Sequence, residues 1–218
     1  MSVSRVVGAC ALVATLLAAG AARADDAAKA LAAKVVERAG GEAKLLKLFR
    51  MREQVHVTNK LLPSPAADAK ENRVSIVEVG GDWWLAGKPR GKDKVRVLCW
   101  AWSLRLLLAP EARLSTLPEA DVAGKPSVGL KVEGTTKDPV DLWFDKETMS
   151  LVAIDYTDTR HVFSHWTETP AGHRYAAEVH GYRFANVAEK KARETQWYQS
   201  HILELTPLDE LPKELKKK

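Results

Sequence analysis

The chain has 218 residues, of which 46% are hydrophobic, and a formal net charge of +5 at pH 7. This length suits one domain with a substantial apolar core. The balance of 33 basic against 28 acidic residues is ordinary for a soluble protein and argues against a nucleic-acid partner.

The first residues have the pattern of a secretory signal peptide. A basic residue is followed by the apolar run 6–20 and by the small-x-small site 22–24 (ARA). We therefore expect residues 1–24 to be removed and the mature protein to be exported to the periplasm. The four residues that end at Cys10 have the form of a lipoprotein box. Because few apolar residues precede this cysteine, we do not expect lipid anchoring there.

The mature chain is predicted to open with a helix. Apolar residues such as Leu31 and Val35 recur with helical spacing, and Gly40 and Gly41 would end the helix. A shorter helical piece is predicted at 42–48.

After Phe49 the apolar spacing changes from the helical period to the strand period of two. Turn sequences such as Gly80-Gly81-Asp82 separate the extended segments. In the run 125–155, short strands alternate with tight turns, which predicts an antiparallel meander. The predicted strands are 50–59, 72–79, 83–87, 94–102, 113–117, 127–133, 140–144, 149–156, 160–168, 173–184 and 195–205.

Three segments interrupt this pattern. Ser103–Ala109 is Leu-rich, and we expect a short helix packed on the sheet, although a movable lid or a lipid-touching loop would show the same composition. Residues 185–194 are predicted to form a long hairpin loop. Residues 213–218 are expected to be a frayed basic tail, which leaves 25–212 as a single domain.

Cleavage of the leader would leave Cys99 as the only cysteine, and this excludes an internal disulfide. Cys99 alternates with Val97 and Ala101, which predicts a buried apolar residue rather than a reactive thiol. Stability must then come from apolar burial.

The seven tryptophans and several leucines suggest a concave apolar face. Large side chains on one face of a curved sheet either fill its hollow or line a pocket for an apolar ligand, and both alternatives remain open. The candidate cavity residues are Trp84, Leu98, Trp100, Trp102, Leu104, Leu107, Leu142, Phe144, Trp166 and Trp197. On strand parity, Trp143 is expected to point away from Leu142 and Phe144.

A second candidate surface consists of basic residues at alternate positions after the Trp83-Trp84 pair. On a solvated hairpin edge, such charges discourage edge-to-edge association. They could also contact an anionic partner, such as phospholipid head groups or an acidic envelope polymer. These residues are Lys88, Arg90, Lys92, Lys94 and Arg96.

The sequence contains no convincing catalytic or metal-binding motif. His161 and His165 lie four residues apart on a predicted strand, roughly 13 Å, which is too far to share one ion. His173 and His180 on the next strand leave a zinc site as the weaker alternative. We expect no catalytic residue, no metal and no cofactor, and therefore no enzymatic activity.

Several features together resemble the LolA/LolB-like exported proteins, most closely a secreted branch of that superfamily. They are the Ala-rich helix with its Gly-Gly break, the strand 124–132, the hairpin 142–148 (LWFDKET) and a closing strand that carries Tyr175 and Tyr182. The chain departs from that superfamily at Cys10, which is a poor match for a lipid anchor.

The resemblance implies an α+β, mostly antiparallel fold. It would be a strongly curved incomplete barrel of about eleven strands, with the N-terminal helix and the Leu-rich helix covering the concave side. It also implies a non-catalytic, monomeric periplasmic carrier that holds an acyl chain, a lipoprotein lipid or another apolar ligand, with a lipid, a lipidated protein or an anionic membrane surface as partner. The alternative is an envelope structural or sensory module with a packed interior that binds a protein partner.

Overall fold

The computed structural model describes residues 26–90 and 94–216. The expected signal peptide with Cys10, as well as Lys92, lies outside the described residues. Two α-helices are described, α1 (residues 26–38) and α2 (Lys94–Trp102). Among the described residues, no helix is long and apolar enough to cross a membrane.

Twelve strands form one sheet in which every pairing is antiparallel. The strands are β1 Leu48–His56, β2 Arg73–Glu78, β3 Trp83–Leu85, β4 Lys88–Pro89, β5 Arg113–Val122, β6 Lys125–Glu133, β7 Val140–Asp145, β8 Leu151–Tyr156, β9 Thr159–Glu168, β10 Arg174–Asn186, β11 Lys191–Ala192 and β12 Tyr198–Pro207. The sheet order is β4-β3-β2-β1-β12-β10-β9-β8-β7-β6-β5, and β11 pairs only with β10. The sheet curves without closing, which confirms the predicted incomplete barrel with helices.

The core lies on the concave side, where α1, α2 and the middle strands meet. Leu142 and Phe144 of β7 are fully buried in it, whereas Trp143 packs on the opposite face against Val152 and Ala153. The predicted parity of this strand is therefore confirmed. Both faces of β7 and β8 are buried, and the residues of β7 still alternate between the core face and the opposite face.

Helix α1 buries its apolar stripe and ends at Gly40 and Gly41, whose φ angles of 96° and 81° favour glycine. The predicted helical piece at 42–48 is shorter than expected. Only a 3-10 turn at Glu42–Lys44 forms, and β1 already starts at Leu48.

The predicted strand 94–102 is wrong, because this segment is helix α2. Two periods fit its sequence. Val95, Val97 and Cys99 alternate as in a strand, but Val95, Leu98, Cys99 and Trp102 also recur as on one helical face, and nine residues are too few to decide between them. Cys99 is buried, as expected, but on the helix.

The Leu-rich segment continues from α2 into a 3-10 turn at Arg105–Leu108. Leu106 and Leu107 are buried, which agrees with the expected core packing. The guanidinium of Arg105 donates to the backbone carbonyls of Glu42, Leu45 and Leu46 at 3.0–3.1 Å. It therefore supplies hydrogen-bond donors to the carbonyl groups of the segment that leads into β1. A third 3-10 turn, Lys213–Leu215, buries Leu215.

Candidate functional site: an apolar cavity under helix α2

A cavity of about 460 Å³ lies between α2 and the concave face of the sheet. Cavities that hold one small ligand have roughly 300–1,000 Å³. Strands β1, β9, β10 and β12 form the floor, and α2 forms the roof. The apolar lining includes Met51, Phe163 and Ile202 from the sheet and Val95, Leu98 and Trp102 from the helix.

Strand alternation selects which side chains reach this cavity. Tyr198, Ser200 and Ile202 of β12 face it, while the intervening Gln199 and His201 point to the other side of the sheet. One floor position carries no side chain, because a Cβ on Gly181 would lie 2.0 Å from the ring of Tyr198. The phenol ring occupies that space instead.

The helix roof is held by aromatic contacts. Trp102 stacks on Phe163 of β9, with ring centroids 6.5 Å apart and an interplanar angle of 12°. The same indole meets the edge of Phe49 at 5.8 Å. These contacts join the C-terminal end of α2 to two strands of the floor and keep the cavity apolar at this end.

The floor contains a buried ion pair. Glu53 is only 2% exposed, and Arg73 donates to its carboxylate through Nε at 3.1 Å and Nη2 at 2.5 Å. The hydroxyls of Ser75 and Ser200 each donate to it at 3.1 Å. The carboxylate is therefore compensated by one guanidinium and two hydroxyls, as a buried charge requires.

A second polar pair on the floor is neutral. Nε2 of His161 lies 3.1 Å from the Thr159 hydroxyl, whose own hydrogen is donated to the Tyr156 carbonyl, so Nε2 is the donor. Nδ1 then accepts from the Tyr198 hydroxyl at 2.6 Å. Burial, with a contribution from the Lys94 charge, lowers the pKa of His161 to about 4. Burial also raises the pKa of Tyr198, so neither ring is charged at neutral pH.

Because His161 is buried in its neutral form, we expect the protein to lose stability in acid. Below the ordinary pKa of 6.5 the unfolded chain takes up a proton, whereas folded His161 does so only near pH 4. The free energy of unfolding contributed by this residue should therefore fall by about 3 kcal/mol as the pH drops through that window. Urea unfolding at pH 7 and pH 4, followed by circular dichroism, measures it. In His161→Gln, which keeps an acceptor and a donor, the decrease should be smaller by that amount; equal decreases in the two proteins would contradict the assignment.

The mouth of the cavity is charged. Lys94, at the start of α2, pairs with Asp158 at 2.5 Å. The guanidinium of Arg183 lies over the ring of Trp197, with Cζ 5.4 Å from the ring centroid. Val57, which also lines the cavity, is 82% exposed. The mouth therefore combines an exposed apolar residue with cationic groups.

The structure brings three of the predicted cavity residues, Leu98, Trp102 and Trp197, to this cavity. Leu104 and Trp166 line a much smaller void of about 30 Å³, large enough for about one water molecule. The remaining candidates do not line either space. Leu107, Leu142 and Phe144 are buried in the core, Trp84 is buried next to Trp83 on the other face of the short strand β3, and Trp100 packs on Gly80.

The basic residues do not share one hairpin edge, because Lys94 and Arg96 belong to α2 rather than to a strand. Lys88 lies in β4 and Arg90 directly follows it, while Lys92 is outside the described residues. Arg96 donates to the Gly80 carbonyl at 2.6 Å. The expected row of alternating cations is therefore wrong as a single surface.

The residues missed by sequence reasoning are the polar groups of the cavity, namely Glu53, Arg73, Arg183 and Tyr198. Alternation along β10 and β12 could have placed Arg183 and Tyr198 on one face, but it gives no sign of which face is concave. His161 was considered only as a metal ligand.

Among the described residues, no group of three His, Cys, Asp or Glu side chains could hold a metal ion. His161 faces the cavity, whereas His165 contacts Glu178 at 2.6 Å. His165 has a φ of 52°, and neither it nor the opposite residue Ala177 is paired, so the ladder between β9 and β10 is interrupted at His165 without a change of register.

No protein-family model and no curated protein sequence matches the chain. Among solved structures, an outer membrane lipoprotein-sorting protein domain from Vibrio parahaemolyticus matches with a TM-score of 0.52 at 10% identity, over 87% of this chain and 95% of that domain. A DUF1329 family protein from Desulfovibrio piger matches over the same shares with a TM-score of 0.47 at 13% identity. The chain thus shares the fold of that domain, which is the fold that the LolA/LolB-like resemblance in the sequence predicts.

Proposed function

We propose that this chain is a non-catalytic carrier that holds an acyl chain or another apolar ligand between α2 and the concave face of the sheet. The observation that carries this proposal is the cavity of about 460 Å³. Protein interiors are normally packed to high density, and a void of this size lined by apolar side chains is a typical ligand site.

The lining of the cavity supports binding of an apolar ligand rather than catalysis on a substrate. Leu98, Trp102 and Phe163 would contact an alkyl chain, and burial of that chain gives about 0.8 kcal/mol for each CH₂ group removed from water. The polar floor groups are already satisfied by one another, since Glu53 is paired with Arg73 and both nitrogens of His161 have hydroxyl partners. Those groups therefore stabilise the floor and leave no net charge there, and they are not free to react with a ligand.

The proposed compartment is the periplasm. The leader pattern in residues 1–24 supports export, and the lipoprotein-sorting-like fold suits a protein that moves a lipid or a lipidated protein across an aqueous space. Export predicts that the mature protein begins at Asp25, which the intact mass of protein isolated from the periplasm would show.

The test is to produce the full chain in a bacterial host, purify it from the periplasm without detergent, extract it with organic solvent and analyse the extract by mass spectrometry. We expect about one lipid molecule per chain, and uptake of one apolar dye per chain after delipidation. Protein that carries only trace lipid and takes up no dye would contradict carriage. That outcome would support the alternative function, an envelope module that binds a protein partner.

A further inference from the structure

The described residues that line the cavity carry an unbalanced positive charge. Their ionised groups are the cations Arg73, Lys94 and Arg183 and the carboxylates Glu53 and Asp158. Because His161 is neutral above about pH 4, one positive charge is left. An unbalanced charge beside an apolar cavity attracts a ligand of opposite charge.

The excess charge can be assigned to Arg183. Glu53 neutralises Arg73, and Asp158 neutralises Lys94. Arg183 forms no ion pair with any described carboxylate; its contact is with the face of Trp197. Its five N–H donors are therefore available at the mouth, where the apolar lining meets water.

Trp197 contributes a second observation at the same place. Its Nε1 is buried and finds no acceptor among the described residues. Buried donors nearly always have a partner, so an oxygen atom of a bound ligand at this place would complete the hydrogen bonding of the indole. The stacked pair of Arg183 and Trp197 thus presents two kinds of hydrogen-bond donor, a guanidinium and an indole N–H, at the edge of the cavity.

We infer that the ligand is an amphiphile with one alkyl chain and an anionic head group, a carboxylate or a phosphate, bound with its head at Arg183 and its chain under α2. This inference rests on the proposed carrier function and deepens it. A cavity of about 460 Å³ suits one chain, since it lies in the lower half of the range for single small ligands. The planar guanidinium matches both anions, because it can donate two parallel hydrogen bonds to either.

The geometry gives the ligand a direction. Val57, Trp197 and Arg183 lie at the mouth of the cavity. Trp102, which stacks on Phe163, lies at the other end, at the C-terminus of α2. A head group at Arg183 would therefore stay in contact with water, and the alkyl chain would run along α2. This arrangement avoids burying the charge of the head group, which would be costly without further partners.

The test compares three ligands that share one alkyl chain: hexadecanoic acid, hexadecyl phosphate and the neutral hexadecanol. Each displaces a fluorescent apolar dye, N-phenylnaphthylamine, from the delipidated protein at pH 8. We expect at least one of the two anions to bind about 10-fold more tightly than the alcohol, which corresponds to one charge-assisted contact. The tighter of the two anions identifies carboxylate or phosphate as the head group.

Arg183→Gln should reduce the preference for the anion to about 1-fold. The matched control is Arg174→Gln, since Arg174 also stacks on an indole, that of Trp166 at 5.8 Å, but does not line this cavity. The control should keep the preference of the unmodified protein.

Each outcome separates this inference from the carrier function. Equal binding of the acid, the phosphate and the alcohol would overturn the head-group assignment and leave the carrier function in place. A preference that survives Arg183→Gln would also overturn it. A protein that binds neither the dye nor any of the three ligands would refute the carrier function itself.

Discussion

Val179→Trp is expected to weaken binding of an apolar dye by about 100-fold or more. Val179 lies on β10 with its side chain in the cavity, and an indole at this position would occupy the space that the ligand needs. A 100-fold loss corresponds to about 2.7 kcal/mol, which is of the size expected when a ligand must compete with a packed aromatic ring. Fluorescence titration of delipidated protein with N-phenylnaphthylamine measures the change.

The matched control is Val74→Trp. Val74 lies on β2, is 38% exposed and does not line the cavity, so the same residue exchange should leave dye affinity within about 2-fold of the unmodified protein. Thermal unfolding of both variants checks that they are folded. Dye affinity unchanged in a folded Val179→Trp protein would place the ligand somewhere other than under α2.

Arg73→Ala is expected to lower the free energy of unfolding by about 3–5 kcal/mol. The substitution removes the guanidinium from Glu53, which would remain buried with only the hydroxyls of Ser75 and Ser200 as partners. An uncompensated buried carboxylate is far more costly than the loss of a surface ion pair. Urea unfolding at pH 7 gives the value.

Two further variants separate this effect from a general loss of contacts. Arg52→Ala also removes a guanidinium that bridges two carboxylates, those of Glu71 and Glu204 at 2.7 Å, but these side chains are 31–44% exposed. Its cost should stay at or below about 1 kcal/mol. Adding Glu53→Gln to Arg73→Ala should recover part of the lost stability, because no buried charge remains. A cost below about 1 kcal/mol for Arg73→Ala alone would show that Glu53 is not held as a buried charge.

Most of the sheet could be predicted because its strands have strong local signals. The turns at 80–82 and 169–172 separate runs with a clear period of two, and ten predicted strands overlap observed ones, although β5 is twice as long as predicted and the two-residue strands β4 and β11 were missed. The parity of 142–144 was predictable for the same reason, since a period of two assigns each side chain to a face without further information.

Helix α2 could not be predicted from its local sequence. Residues 94–102 satisfy both a strand and a helix period, and the choice depends on where the segment packs. In the structure, Trp102 reaches Phe163 of β9, a residue 61 positions farther along the chain, and this contact is available only to the helix lying across the sheet. Tertiary packing therefore overrides a pattern that is locally ambiguous.

The cavity was predictable as an apolar region but not as a site with specific polar groups. Glu53 meets Ser200 from 147 positions away, and His161 meets Tyr198 from 37 positions away. Such pairs arise from the order in which β1, β12, β10 and β9 are joined, and no local spacing in the sequence encodes them. For the same reason, the sequence left undecided whether tryptophans fill the concave side or line an open space.

The most direct test of the central claim is a crystal structure of the delipidated protein loaded with hexadecanoic acid that carries bromine at the end of its chain. Anomalous diffraction locates the bromine without reference to the protein model. We expect one strong peak between α2 and the floor strands, within contact distance of Trp102 or Phe163. A peak on the outer face of the sheet, or a cavity that has closed around its own side chains with no bromine inside, would contradict a carrier that works through this space.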